Sequence, residues 1–232
     1  MPIAGTEETM SYRRFLASAV TGVLLLAGCS EPTGPPLAPR DSPLHLSSTT
    51  GQSLTPLRHG AGLDTYQISF WAVRGQSRSA LVYYREYQTT PSRGDEDDAD
   101  RRSRAARFLR VFVPADGLST LPNGTAIAVG DSVLITVTLD RDYVVARFAP
   151  TGLVFNPSSP VTLEVWYSGA ILDLDGDGDV DAADNLIGAT RLALWHQSQA
   201  GAAWDRQPAL HSWENRYFLA SLTSFSGYAV SW

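Results

Sequence analysis

The sequence predicts an all-β protein built as an antiparallel β-sandwich, and three observations carry that expectation. Short runs of β-branched and aromatic residues recur from about residue 63, each bounded by turn residues. Outside residues 13–28, no segment holds a helical period over about a dozen residues. Apolar residues make up 44% of the 232, enough to bury a core.

Before that domain come two other kinds of segment. Residues 13–29 read RRFLASAVTGVLLLAGC: two arginines, an apolar run, then small residues before Cys29. That is the pattern of a secretory signal, with Met10 as a plausible start and the run short for a membrane span. Leu26-Ala27-Gly28-Cys29 resembles the lipobox of bacterial lipoproteins. The resemblance implies cleavage after residue 28, acylation at Cys29 and a membrane anchor. Ser30 stands where an aspartate would mark retention in the inner membrane, so the expected location is the outer membrane of the cell envelope. Cys29 is the one cysteine, so no internal disulfide exists. Residues 29–62 are rich in Pro, Ser, Thr and Gly and read as a disordered tether.

The β domain is expected over 63–232. Strands are predicted at 65–73, 79–87, 107–114, 131–139, 143–148, 161–167, 190–197, 216–222 and 227–232. The linker RGQSR between the first two signals a hairpin. Along the sixth, Val161, Leu163, Val165 and Tyr167 share one face, and Thr162, Glu164 and Trp166 the other. Residues 94–107 break the β pattern. Asp97/Arg101, Asp98/Arg102 and Asp100/Arg104 stand four apart, which suits a short exposed helix or a disordered insert.

The charge is distributed unevenly. All 18 basic residues are arginine. From Cys29 onward 16 arginines face 22 acids, and six of those acids lie in residues 173–184 without a base. Outside that stretch the balance is even, which leaves nucleic acid unsupported as a partner.

Residues 173–184 read DLDGDGDVDAAD. Asp173, Asp175, Asp177, Asp179, Asp181 and Asp184 stand at positions 1, 3, 5, 7, 9 and 12, with Gly178 at position 6 and Val180 at 8. A hard cation takes about 6–8 oxygens, and a loop curling around it must offer one at alternate residues. The spacing matches an EF-hand loop, and the expected cofactor is calcium. Asp173, Asp175 and Asp177 are expected to bind through side chains, Asp179 through its carbonyl and Asp181 through water, with Asp184 closing the cage. Asp at position 12, in place of Glu, weakens that closure. The loop also resembles the calcium loop of dockerin modules. A dockerin carries two such loops, each followed by a helix; here one loop is present and NLIGATRLALW turns β-like, so cohesin docking is not expected. The loop is read as a long hairpin connection between strands 161–167 and 190–197, ordered by the ion.

VVARFAPTGLVFNPSSPVTLEVWY (144–167) and the tail from residue 192 resemble ZU5-like domains. The resemblance implies a β-sandwich used for protein contacts. Some members cut themselves at His-Phe-Ser; here the tripeptide is Ser224-Phe225-Ser226, so Ser226 lacks the neighbouring histidine. No nucleophile elbow, phosphate loop or zinc helix appears, and a non-catalytic module is expected. The expected function is adhesion or protein interaction at the cell surface, with carbohydrate binding as the alternative. Trp166 and Trp195, placed on the two strands of the expected hairpin, are candidates for an exposed aromatic pair.

Overall fold

The computed structural model describes residues 44–85 and 107–232. The expected signal, Cys29, residues 30–43 and the charged insert at 94–107, except its last residue Arg107, lie outside the described residues. Strands β1 (Leu46–Ser47), β2 (Ser53–Leu54), β3 (Gln67–Val73), β4 (Arg78–Tyr83), β5 (Arg107–Val113), β6 (Leu118–Thr120), β7 (Ser132–Leu139) and β8 (Val145–Ala149) come first. β9 (Val154–Phe155), β10 (Val161–Trp166), the helix α1 (Ala182–Thr190), β11 (Ala193–Gln197), β12 (Trp204–Arg206), β13 (Leu210–Ser212), β14 (Tyr217–Leu222) and β15 (Gly227–Ser231) follow.

The long strands form two antiparallel sheets. One has the order β13-β14-β10-β5-β4, the other β12-β11-β15-β8-β7-β3. The expected alternation on β10 holds. Val161, Leu163, Val165 and Tyr167 are buried, whereas Thr162, Glu164 and Trp166 are half-exposed. Their buried faces meet the inner faces of β7 (Val133, Ile135, Val137) and β15 (Tyr228, Val230) in one apolar cluster. The arrangement is that of a sandwich, with side chains of period two filling the space between layers.

Two expected hairpins are crossovers instead. β3 pairs with β7 and β4 with β5, so RGQSR passes between sheets. Its residues bond to other loops: Arg74 N–H donates to Asp131 O and Gly75 N–H to Ala115 O. β10 pairs with β14 and β5, and β11 with β12 and β15, so the chain between β10 and β11 also changes sheet. A turn signal marks where a strand stops. It does not determine which strand pairs next.

The expected tether, 29–62, is corrected from residue 44 onward. Leu46 and Leu54 on the β1–β2 hairpin cover the outer face of the six-stranded sheet against Trp195, Trp204 and Val145. Leu57 is fully buried between the sheets. Its N–H donates to Val230 O, and its carbonyl accepts from Val144 N–H. Further on, Gly60 and Ala61 N–H both donate to Gly169 O, beyond the end of β10. Scattered leucines in a polar context thus strap one end of the sandwich. His59 in this strap packs at a tilt against Phe108 with ring centroids 4.9 Å apart.

Leu57→Ala is expected to cost about 2–5 kcal/mol of unfolding free energy, as for a fully buried leucine. Urea denaturation measures it; a value near zero would place residues 44–62 outside the cooperative fold.

Candidate metal centre

The aspartate loop occupies the crossover between β10 and β11. Leu172 and Leu174 are buried in the main core and pin its first half. Gly176 and Gly178 adopt φ of 80° and 99°, the left-handed turns that let the chain curl back. Each curl is fixed by a carboxylate accepting from a nearby amide. Asp173 accepts from Gly176 N–H at 2.8 Å and from Gly178 N–H at 3.1 Å. Asp175 accepts from Asp177 N–H, and Asp177 from Asp179 N–H.

Beyond the glycines the structure differs from expectation. Residues 182–190 form a helix of nine residues, where a β-like continuation was expected. Local side chains make the helix. Asp181 is its N-cap and accepts from Ala183 N–H at 2.7 Å. Asp184 completes the capping box by accepting from Asp181 N–H at 2.8 Å. Gly188 faces Trp213 so closely that a Cβ there would lie 2.2 Å from the indole. That close approach explains a glycine inside the helix.

Asp184 is the buried member of the set, 1% exposed. Its other oxygen accepts from Leu174 N–H at 2.5 Å and Asp175 N–H at 3.2 Å. Both oxygens therefore hold the loop's own amides. The Asp181 amide, then those of Leu174 and Asp175, pull its pKa below the usual carboxylate value, against the opposing effect of burial. Asp175 moves the other way. The Asp177 amide lowers it, but burial and the carboxylates of Asp177, Asp184 and Asp181 outweigh that and raise it.

Of the six predicted ligands, the structure brings three together. Asp173, Asp175 and Asp177 each place a carboxylate oxygen within 4.8 Å of the others. Asp179, Asp181 and Asp184 are outside that group: Asp181 caps the helix and Asp184 binds backbone. All three gathered donors are hard oxygens, which suits calcium or magnesium better than a transition metal.

The aromatic pair does not form. Trp166 lies on the five-stranded sheet beside Tyr217 and under the Arg107 guanidinium, 5.7 Å from its ring. Trp195 is buried on the other sheet and donates Nε1–H to Ser231 O.

Sequence reasoning also missed a pairing at Ser226. The Ser226 hydroxyl and His196 Nε2 are 2.6 Å apart, although thirty residues separate them. Ser226 therefore has a histidine partner, supplied by β11 rather than by its own tripeptide. Register explains it: His196 pairs with Tyr228, two residues beyond the serine. A hydroxyl beside an imidazole is the arrangement nucleophilic catalysis needs. Here Ser226 is 3% exposed, which shuts out an external substrate. The preceding Phe225 is fully buried, stacked on Phe148, with its N–H given to Leu153 O and its carbonyl accepting from Gly152 N–H.

Comparison of the chain with protein-family models, curated proteins and solved structures finds no match.

Two outcomes are expected from these groups. The purified chain should give a single mass spanning the Phe225–Ser226 bond, and two fragments divided there would show that the serine attacks its own chain. His59, His196 and His211 all have pKa values below 6.5, chiefly because burial disfavours the imidazolium; Asp140 and Asp142 oppose this at His59, and Asp205 at His196. The unfolded chain therefore binds these protons first as pH falls through about 6.5. Stability is full above that pH and declines below it. Melting curves between about pH 7 and pH 5 should show a falling midpoint, with a shallower fall in His59→Phe.

Proposed function

We propose that this chain is a lipid-anchored protein of the bacterial cell envelope whose β domain, stiffened by calcium, is a non-catalytic adhesion or protein-interaction module. The observation that carries the metal reading is the convergence of the Asp173, Asp175 and Asp177 carboxylates in a glycine-turned loop that runs into a helix cap. Three like charges held that close repel one another, and a divalent cation reverses the sign of that interaction. Three carboxylates offer up to six oxygens, with carbonyls and water to complete the shell.

The loop-then-helix order fits an EF-hand or dockerin-type half-site. A single half-site, placed in a crossover between sheets, suits a structural ion better than a sensor pair. The ZU5-like motifs at 144–167 and 192–232 support an interaction role, since both lie in the sandwich strands and neither requires catalysis. Lipidation at Cys29 rests on the signal-like residues 13–29 ending in Leu26 to Cys29, and attachment to the outer membrane on Ser30 after it.

Thermal unfolding with calcium and with chelator tests the metal reading. A ligand that binds only the folded state raises its midpoint. Calcium should raise the midpoint of the native chain and leave Asp173→Ala/Asp175→Ala unmoved. No shift in the native chain would remove calcium from the reading.

A further inference from the structure

A polar cleft of about 570 Å³ opens between the β1–β2 turn and the C-terminal end of α1. Its volume lies within the usual range for small-ligand sites. Arg191, at the C-cap of α1, and Arg206, on β12, both line it. No carboxylate side chain does, and among the described residues neither arginine forms an ion pair. The half-exposed Trp232 adds an aromatic surface, and Gln52, Ser53 and Thr190 add uncharged hydrogen-bonding groups.

We propose that this cleft binds an acidic oligosaccharide through its carboxylates. The inference stands on the cleft and is independent of the metal reading. Guanidinium groups present paired N–H donors in a fixed fork that matches a carboxylate. Hydroxyl and amide side chains can both donate to and accept from sugar hydroxyls. An indole face offers apolar contact to a flat ring. A chain of uronic acids combines all three features. A bare inorganic anion would use the arginines and leave the rest of the cleft unmatched.

The two sources of anionic chemistry, and the sugar ring itself, separate in one titration series. The full chain is titrated calorimetrically with a β-1,4-oligoglucuronate, with a cello-oligosaccharide of the same length, and with inorganic phosphate. The two saccharides differ at C6, carboxylate against hydroxymethyl. Saturable binding of the oligoglucuronate is expected, with the neutral sugar and phosphate each at least about tenfold weaker. Arg191→Ala and Arg206→Ala are each expected to weaken binding about tenfold, the effect of losing one charge-assisted contact. Arg206→Lys, which keeps the charge and loses the fork, should weaken it by a smaller factor. Trp166→Ala, on the opposite sheet, should leave affinity unchanged. The proposal is overturned if the oligoglucuronate does not bind, if the neutral sugar or phosphate binds equally well, or if the arginine variants, shown folded by circular dichroism, bind like the native chain.

Discussion

Burial of two apolar faces against each other is the interaction to which the rest of this molecule is fitted. β10 shows the mechanism in four residues: Val161, Leu163, Val165 and Tyr167 all face inward. Each inward position on β7 and β15 answers with Val, Ile, Leu or Tyr. Burial of such side chains contributes roughly 1.5–3 kcal/mol apiece before entropy is counted. The sheets are closed where the chain crosses between them. Leu57 and Leu63 in the strap, and Leu172 and Leu174 ahead of the acidic loop, extend the same core to those crossings. The acidic loop is therefore rooted in hydrophobic packing at its first residues, although nearly everything after them is polar.

That rooting creates an electrostatic problem, which the loop solves partly with its own backbone. Asp173, Asp175, Asp177, Asp181 and Asp184 each accept from at least one amide. Such bonds satisfy hydrogen-bonding capacity and lower the energy of a carboxylate, yet they carry no net positive charge. Asp184 shows how far this can go: its three amide donors hold its pKa below the usual carboxylate value against the effect of burial. The three gathered carboxylates have fewer donors for more exposed charge. At Asp175 the Asp177 amide is outweighed by burial, with repulsion from Asp177, Asp184 and Asp181 after it, and the pKa is raised. Geometry thus divides five of the six aspartates into two classes, with Asp179 in neither. Asp181 and Asp184 build the helix end. Asp173, Asp175 and Asp177 are left facing one another.

Much of the fold was legible because period-two alternation records burial directly. All nine predicted strands correspond to β3, β4, β5, β7, β8, β10, β11, β14 and β15, with ends shifted by a few residues. What was not legible depended on tertiary partners. β1 and β2 are two residues each, in a Pro- and Ser-rich context, and their leucines bury only because Trp195 and Trp204 lie beneath them. The helix has no apolar stripe to announce it; its buried residues are Asp184 and Gly188. The S/T/D-x-x-D/E spacing of Asp181 and Asp184 was the available signal, and the calcium frame had already claimed both residues. His196 and Ser226 meet through sheet register, which no local window contains.

A cation in this loop would act on stability more than on shape. The helix cap and the Asx-type bonds tie the carboxylates to the loop's own amides, and an ion would add to that ordering. An ion binding there would relieve the repulsion among the Asp173, Asp175 and Asp177 carboxylates. A ligand shifts an equilibrium only through its differential affinity for the two states. For stability, the second state is the unfolded chain. At a free concentration about ten times its dissociation constant, a ligand specific to the folded state contributes about 1.4 kcal/mol. Millimolar calcium would reach that level at a site with a dissociation constant of about 0.1 mM, and contribute about 0.4 kcal/mol at one of about 1 mM. The loop would then remain occupied under constant conditions, as a fixed brace on the crossover from β10 to β11.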